Sequence, residues 1–346
     1  MLDSWSLQVL VAVAESGSFS AAAEQLLMTQ PGVSRQIAGL ERKFGVPLFR
    51  REPRGVTPTE AGAEAVRLAR VTLAQIDRFE ATMRSFAGLD GAHLRLAGFA
   101  SVNTHFVPRA IQRFSIEHPA VRVTLHHIDA TDALDAVREG RIDLALVTGW
   151  QLTEDPVAAR HSPDAVMLDP DDVAGVEVIE LFEEQLHVAL PADHRLSGCE
   201  VVPLRELRDE RWIDGAYPDC LGPLPELGRA LGASPEIGFF CDDWNGKQAL
   251  VAAGAGVMVV PSLAGVAVRA DLVLRPTAPM LPTRRLYAAT ARPPFRTPAV
   301  QAMLPGLHAL AADTDGRDSG PSRNREAPGD RIVHAGGTDN DRKDPR

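Results

Sequence analysis

The stretch from Phe19 to Phe49 has the pattern of two short helices joined by a tight turn, and it constrains the fold more than any other part of the chain. Ser18 or Ser20 can cap the first helix, because serine side chains accept hydrogen bonds from exposed backbone amides. Thr29 can cap the second helix in the same way, and Gly45 supplies a residue that ends it. Two capped helices at this spacing are typical of a helix-turn-helix, whose second helix enters the DNA major groove.

The second helix is expected to bury one face and to present polar groups on the other. The apolar residues follow helical spacing, which predicts a buried face of Val33, Ile37, Leu40 and Phe44. Arginine can pair with guanine in the major groove and glutamine with adenine, so these residue types suit base reading. We therefore predict that the outward face contacts DNA through Thr29, Gln30, Pro31, Ser34 and Arg35. The alternative is that these side chains form an ordinary solvated helix surface.

A basic segment follows this helix. Six basic and two acidic side chains lie between Arg35 and Arg54, although the chain as a whole carries a net charge of -10. Pro53 and Gly55 separate two short extended pieces, which predicts a hairpin, or wing. We expect Arg50 and Arg54 of this wing to contact DNA phosphates or the minor groove.

A long helix is predicted from Thr59 to about Ala87, with Gly88 ending it. Its apolar stripe has nearly heptad spacing and consists of Val66, Ala69, Leu73, Ile76, Phe79, Met83 and Phe86. A helix of this length exceeds what a small winged domain can cover, so we expect a partner helix to bury the stripe. The alternative is that the C-terminal part of the same chain covers it.

Strands and helices alternate from His93 onward, which predicts two successive α/β subdomains. The first three strands, at 93–99, 121–125 and 142–147, should form a parallel sheet with right-handed crossovers. A similar series restarts at Leu186, after a first crossing segment at 154–172. Strands at 272–274 and 286–290 are expected to return to the first sheet. Ligands of such folds bind in the cleft between the subdomains.

Composition excludes several classes of protein. No apolar run approaches the ~20 residues that span a bilayer, and no basic segment precedes an apolar one at the N-terminus. Cys199, Cys220 and Cys241 are odd in number and lack CxxC spacing, which favours reduced thiols. We therefore expect a cytoplasmic protein with no membrane partner.

With these residues in view, the chain resembles the LysR-type transcriptional regulators. The motifs that carry the resemblance lie at 19–26, 29–37, 40–41, 45–49 and 57–62, and weaker ones lie at 139–146 and 254–261. The resemblance covers about residues 1–312. It implies a winged helix-turn-helix domain at 1–58, a linker and dimerisation helix at 59–88 and an effector-binding domain of periplasmic-binding-protein type at 91–312.

The resemblance also implies partners and finer boundaries. Members act on double-stranded DNA, respond to a small-molecule effector and usually form homodimers or homotetramers; RNA polymerase is a candidate partner. Subdomain I would comprise about 91–166 and 268–312, and subdomain II about 167–267. Two departures stand out: Gly32 lies where the family more often has a helix former, and the polar tail at 313–346 is predicted to be disordered.

Effector-binding residues are predicted at the strand-to-helix turns. They are Ser101, Asn103, Thr104, Asp129, Thr131, Thr148 and Trp150. Hydroxyl and amide groups at a helix start can hold an anion, although simple helix capping explains the same residues. Asp129 would repel an acidic effector, and Trp150 can either cover a ligand or pack in a hinge.

Three other functions are alternatives to this interpretation. A small-molecule-binding protein of the transport type, without a DNA function, is not expected, because it would need export and the sequence predicts no signal peptide. An enzyme is not expected, because the chain lacks GxSxG and HExxH motifs and its neighbouring His126 and His127 would point to opposite faces of a strand. No metal or cofactor is expected either. A thiol-redox sensor that uses Cys220 is the closer alternative, but the second cysteine expected about nine residues on is replaced by Arg229. An ordinary idle cysteine is the simpler interpretation.

Overall fold

A computed structural model of the chain describes residues 2–52, 55–85, 89, 91–128, 132–152, 175–215, 221–222 and 224–318. Several sequence predictions fall outside these residues: those on Arg54, Phe86, Asp129, Thr131 and Cys220, on the segment at 154–172 and on the tail beyond 318. Within the described part of the chain, no helix is both long and apolar enough to cross a membrane.

The N-terminal domain, called the reader domain below, is a winged helix. Its elements are α1 (Ser4–Ser16), α2 (Phe19–Gln25), α3 (Gln30–Phe44), β1 (Phe49–Glu52) and β2 (Gly55–Pro58). Ser18 caps α2, and Thr29 caps α3, so two predicted caps are confirmed. Gly45 ends α3 in the left-handed conformation at φ 73°. The antiparallel pair β1 and β2 forms the predicted wing.

The predicted buried face of α3 is wrong at its last residue. Val33, Ile37 and Leu40 are almost fully buried, whereas Phe44 keeps 46% of its surface exposed. Phe44 is the last residue of α3 and lies at the edge of the reader domain core. It lines an open apolar groove of about 400 Å³ instead.

The linker helix α4 (Glu60–Ser85) has 26 residues, so it is about 39 Å long. The predicted stripe is split. Its first residues, Val66, Ala69 and Leu73, pack into the reader domain core. Ile76, Phe79 and Met83 are exposed, as is Leu68 on the same side of the helix. The reader domain of the same chain therefore covers the first half of the stripe, which the sequence prediction had assigned to a partner.

The effector domain follows the linker helix. In chain order its elements are β3 (His93–Gly98), α5 (Ala100–Asn103), α6 (Phe106–Glu117), β4 (Arg122–His127), α7 (Ala133–Arg138), β5 (Leu144–Thr148), β6 (Val176–Glu184), β7 (Leu186–Pro191), β8 (Val202–Pro203), β9 (Arg211–Asp214), α8 (Leu224–Leu231), β10 (Glu236–Phe240), α9 (Trp244–Ala252), β11 (Met258–Pro261), β12 (Leu272–Arg275), β13 (Thr277–Ala278), β14 (Arg284–Ala291) and α10 (Pro298–Asp318).

Subdomain I is built on a five-stranded sheet with the order β4-β3-β5-β14-β6. Strands β3, β4 and β5 are parallel, as predicted, and β14 is antiparallel to both β5 and β6. Helices α6 and α10 pack against one face of the sheet, and α7 packs against the other. Subdomain II contains the sheet β11-β7-β12 and the pairs β9–β10 and β8–β13, around a core that includes Trp212.

Two sequence predictions about which subdomain a strand belongs to are wrong. The strand at 272–274 was expected in the first sheet, but β12 pairs antiparallel with β7 of subdomain II. The range predicted for subdomain II, about 167–267, includes Val176–Glu184, but this strand pairs along its length with β14 of subdomain I. Subdomain II therefore begins after Glu184 and ends before Arg284. The tail prediction is also wrong at its start, because α10 continues to Asp318.

Candidate DNA-binding surface and effector cleft

The recognition helix α3 is held on one side and open on the other. Thr29 Oγ1 accepts a hydrogen bond from the Gly32 amide at 3.3 Å, which fixes the first turn. The Ser6 hydroxyl of α1 donates to Gln36 Oε1 at 3.3 Å and ties α3 to the first helix. The apolar face described above anchors the rest of the helix in the reader domain core. These contacts hold the first two turns in place and leave the side opposite Val33 facing solvent.

The structure brings the predicted DNA-binding residues of α3 onto one surface. Thr29, Gln30, Pro31 and Arg35 are exposed, and Ser34 is partly exposed beside them. Exposed arginine, glutamine and serine at the start of a helix can reach base edges in the major groove. A Cβ at Gly32 would lie 3.1 Å from Thr29 Oγ1, so the glycine at this unusual position leaves room for the capping hydroxyl.

The wing is anchored to the end of α1. The Val56 amide donates to the Gly17 carbonyl at 2.9 Å. Gly55 has φ 143°, and a Cβ there would lie 2.5 Å from the same carbonyl oxygen, so only glycine fits. Arg50 of the wing is exposed. Glu41, in the middle of the basic segment, faces inward and accepts hydrogen bonds from the amides of Leu48 and Phe49. One of the two acidic side chains in this segment is therefore directed away from the basic surface, which is more positive than the count of charges in the sequence suggests.

The cleft between the subdomains lies at one edge of the five-stranded sheet. Strands β3, β4, β5 and β6 all run toward this edge, and β14 starts from it. Ser101, Asn103 and Thr104 follow β3, and Thr148 ends β5. The structure therefore brings the described effector candidates to the same edge, as expected for parallel strands.

Ser101 is part of a buried ionic network at this edge. Its Oγ accepts a hydrogen bond from Arg284 Nη2 at 3.1 Å, and Arg284 also donates to Glu184 Oε1 at 2.6 and 2.8 Å. The Arg284 and Glu184 side chains are only 2% and 1% exposed. Glu184 Oε2 accepts from the Leu263 amide of subdomain II at 3.2 Å. The network therefore joins the two subdomains where the chain crosses between them.

The side chains of Asn103 and Thr104 bond to the local backbone. Asn103 Nδ2 donates to the Gly98 carbonyl at 2.8 Å, and Thr104 Oγ1 donates to the Ser101 carbonyl at 2.6 Å. The backbone amide of Thr148, itself buried, donates to Gln151 Oε1 at 2.6 Å. These contacts favour the structural interpretation of Asn103 and Thr104.

Trp150 reaches from subdomain I to subdomain II. The residue follows β5, and its ring packs against the core of the other subdomain. Gly222 lies against this ring: a Cβ on Gly222 would be 2.7 Å from the nearest ring carbon. This geometry favours packing between the subdomains over a role as an open ligand cover.

The described residues give little support for a metal site or a thiol-redox site. No group of three or more potential metal ligands occurs among them. Cys199 and Cys241 are half-buried and are not joined in a disulfide. The redox alternative rests on Cys220, which lies outside the described part of the chain.

Comparisons with known proteins find two family matches along the chain. Residues 5–63 match the bacterial regulatory helix-turn-helix protein family, lysR type, and residues 87–311 match the LysR substrate binding domain. The chain is 28% identical over 307 residues to the probable HTH-type transcriptional regulator LrrA of Synechococcus elongatus, covering 89% of this chain and 97% of LrrA. It is 30% identical over 262 residues to ClcR of Pseudomonas putida, covering 74% and 81%.

Solved structures show the same fold. Full-length CbnR, crystallised with its target DNA, superposes with a TM-score of 0.60 at 21% identity and covers 89% of this chain and 100% of its own. A full-length OxyR variant from Pseudomonas aeruginosa superposes with a TM-score of 0.63 at 21% identity, covering 90% and 95%. The chain has a winged helix joined to two α/β subdomains, and the two family models match these parts in the same order. The chain therefore belongs to the LysR family of DNA-binding transcriptional regulators.

Proposed function

We propose that the reader domain recognises a specific DNA sequence through the exposed start of α3, while the wing contacts the sugar-phosphate backbone of the DNA. Gln30, Ser34 and Arg35 would contact base edges, Thr29 and Pro31 would lie at the groove, and Arg50 and Arg54 would contact phosphates. The observation that carries this proposal is the exposed polar surface on a helix whose opposite face is buried. The DNA complex of CbnR, a protein of the same fold, supports it.

Replacing Arg35 with alanine is expected to weaken binding to the preferred duplex by about 1–3 kcal/mol and to relax base preference at one position. Arg50→Ala is expected to weaken binding to all duplexes evenly and to flatten the salt dependence, because a phosphate contact carries no sequence information. Both variants should be measured by mobility shift over a salt series, on duplexes selected from a randomised pool with the wild-type protein. Equal, sequence-independent losses from both variants would refute base reading by Arg35.

We further propose that a small molecule binds in the cleft between the subdomains and modulates DNA binding. Ser101 and Thr148 are its best-placed contacts, because both are buried at the convergent strand ends. Asn103, Thr104, Asp129, Thr131 and Trp150 complete the sequence-based candidates. Since Ser101 Oγ accepts from Arg284, its own hydrogen is left to donate, which suits a ligand that presents an acceptor there.

A screen of small molecules for thermal stabilisation of the full chain tests this site. A ligand present at about 100 times its Kd should add roughly 2.7 kcal/mol of stability. The stabilisation should persist in Ser101→Thr, which keeps the hydroxyl, and fall in Ser101→Val, which removes it. A stabilising ligand that is indifferent to both substitutions binds elsewhere.

The exposed side of α4 supports a homodimer or a larger homo-oligomer. Leu68, Ile76, Phe79 and Met83 form an apolar strip that is continuous with the groove beside Phe44. The groove lining is almost entirely apolar and includes Leu2, Val46 and Leu48. We propose that α4 and the reader domain of a second copy cover this surface, since a two-fold DNA site needs two readers.

Phe79→Asp is expected to shift the protein toward monomer, because a carboxylate placed in an apolar interface loses its hydration without gaining a partner. Light scattering over a concentration series measures the change in mass. Leu27→Asp is the matched control, since Leu27 is 96% exposed in the turn before α3 and lies off this strip. An unchanged mass in Phe79→Asp would place the subunit interface elsewhere.

A further inference from the structure

Polar groups from three strands of subdomain I lie together at the cleft end of its sheet, on the face that carries α6 and α10. Side chains alternate between the two faces of a strand, so residues two positions apart lie on the same face. Gly98, Thr148 and Arg284 each lie two positions from a leucine of the core beneath α6 and α10. These leucines are Leu96, Leu146 and Leu286. The ends of β3 and β5 and the start of β14 therefore present these three positions to one face.

Asn103 supplies an acceptor at this face. A Cβ on Gly98 would lie 2.3 Å from Asn103 Oδ1 and 3.0 Å from a methyl carbon of Val102, which belongs to the same core. The Asn103 amide is fixed in orientation, because its Nδ2 donates to the Gly98 carbonyl. Its Oδ1 is buried and accepts no hydrogen bond from the described residues. A buried acceptor without a donor is costly, so a ligand that donates to it gains free energy of binding.

Ser101 and Thr148 supply two donors at the same end of the sheet. Both residues are only 3% exposed. Ser101 Oγ accepts from Arg284, and its hydrogen goes to no acceptor among the described residues. The Thr148 hydroxyl likewise donates to none of them. Each hydroxyl therefore keeps one hydrogen that can be donated to a ligand.

The charges at this end of the sheet cancel. Within the described part of subdomain I, the buried charged side chains here are Arg284 and Glu184, which approach to 2.6 Å. Arg284 donates to Glu184 through two nitrogens, and one of these also donates to Ser101. The pair has no net charge, so neither an anionic nor a cationic ligand gains a counter-ion from it.

We propose that this end of the sheet binds an uncharged effector through a hydroxyl group of the ligand. A hydroxyl donates one hydrogen bond and accepts two, which matches the acceptor of Asn103 and the donors of Ser101 and Thr148. A carboxylate cannot donate to Asn103 Oδ1, and an ammonium group cannot accept from the two hydroxyls. The effector is therefore an alcohol, a phenol or a sugar, and not an acid or an amine. The proposal deepens the cleft ligand proposed above and rests on it.

Thermal unfolding of the full chain with matched sets of small molecules tests this assignment. Each set places a hydroxyl, a carboxylate and an ammonium group on the same body. Benzyl alcohol, benzoate and benzylamine form one set, and cyclohexanol, cyclohexanecarboxylate and cyclohexylamine form another. The alcohols should stabilise the protein. Their apparent Kd should be lower than that of the charged analogues by about ten-fold or more, because a charged group leaves a buried partner without a hydrogen bond.

Two threonine variants show whether the alcohol binds at this end of the sheet. Thr148→Val removes one donor and should weaken binding of the alcohol by about five- to ten-fold. Thr290→Val is the matched control, because Thr290 is a buried threonine of the same sheet whose hydroxyl donates to the Asp143 carbonyl at the opposite end. The control should lower the melting temperature and leave the Kd of the alcohol unchanged. If Thr148→Val fails to fold, Ser101→Ala removes the other donor and should weaken binding in the same way.

The outcomes separate the class of effector from the existence of a cleft site. An alcohol that binds the wild type and the donor variant equally does not contact these hydroxyls, and it overturns the proposal. Acids or amines that bind as tightly as the alcohols, with the same loss in Thr148→Val, keep the cleft site but overturn its preference for a hydroxyl. If no compound of any class stabilises the chain, the effector function proposed above is contradicted as well.

Discussion

Replacing Arg284 with methionine is expected to lower the free energy of unfolding of the effector domain by about 3–5 kcal/mol, because it removes the guanidinium that pairs with the buried Glu184 carboxylate. Removal of one member of a buried pair costs more than the pair contributes, since the remaining charge is still desolvated. Denaturant unfolding followed by tryptophan fluorescence suits the measurement, because Trp150, Trp212 and Trp244 all lie in the effector domain.

The matched control is Arg269→Met. Arg269 also makes a two-contact ion pair, with Asp271, but the two side chains are 49% and 52% exposed. Exposed pairs are worth about 0–1 kcal/mol, so this variant should be nearly neutral. A double variant, Arg284→Met with Glu184→Leu, should recover much of the loss by removing both charges. If Arg284→Met loses no more free energy of unfolding than the control, the buried pair does not stabilise the connection between the two subdomains.

Gly62→Ala is expected to destabilise the reader domain by about 1–3 kcal/mol, because it overpacks the contact between α4 and the wing. A Cβ on Gly62 would lie 1.8 Å from the Leu48 carbonyl oxygen. Thr59 also holds this junction: its hydroxyl donates to the Pro47 carbonyl at 2.8 Å and accepts from the Gly62 amide at 3.0 Å. The variant should therefore also displace the wing and weaken DNA binding.

The same substitution at Gly39 should have the opposite sign. A Cβ on Gly39, in the middle of α3, would meet no atom within 4 Å. Alanine there should stabilise the helix by up to about 1 kcal/mol through its higher helix propensity. Thermal unfolding followed by circular dichroism compares the two variants directly. Equal effects of Gly39→Ala and Gly62→Ala would mean that α4 and Leu48 are not in close contact.

The reader domain was largely predictable because its determinants are local. Caps at Ser18 and Thr29, the stop at Gly45 and the apolar period of α3 each act within a few residues. The prediction failed at Phe44, since the period alone does not show where the core of the domain ends. The stripe of α4 failed for the same reason: the sequence gives its spacing but not which half lies against α1.

The cleft was harder to predict because its contacts join distant parts of the chain. Ser101 and Arg284 are separated by 183 residues, and nothing local marks Arg284 as a cleft residue. The contacts of Arg78 with Val137 and of Gly140 with Ala74 were not predicted. An arginine on a helix and a glycine at a helix end are each common, so neither residue indicates such a contact. The strand at 272–274 looked like any other apolar strand, and only its pairing with β7 assigns it to subdomain II.

Footprinting of the wild-type protein on a duplex selected from a randomised pool tests the central claim most directly. Two readers joined through α4 should protect two related half-sites on one side of the DNA, with centres whole helical turns apart, a turn being about 34 Å. Protection should disappear in Arg35→Ala at protein concentrations where the wild type is saturated. If selection instead enriches no sequence and the footprint covers all DNA evenly, the reader does not read sequence and the account is wrong.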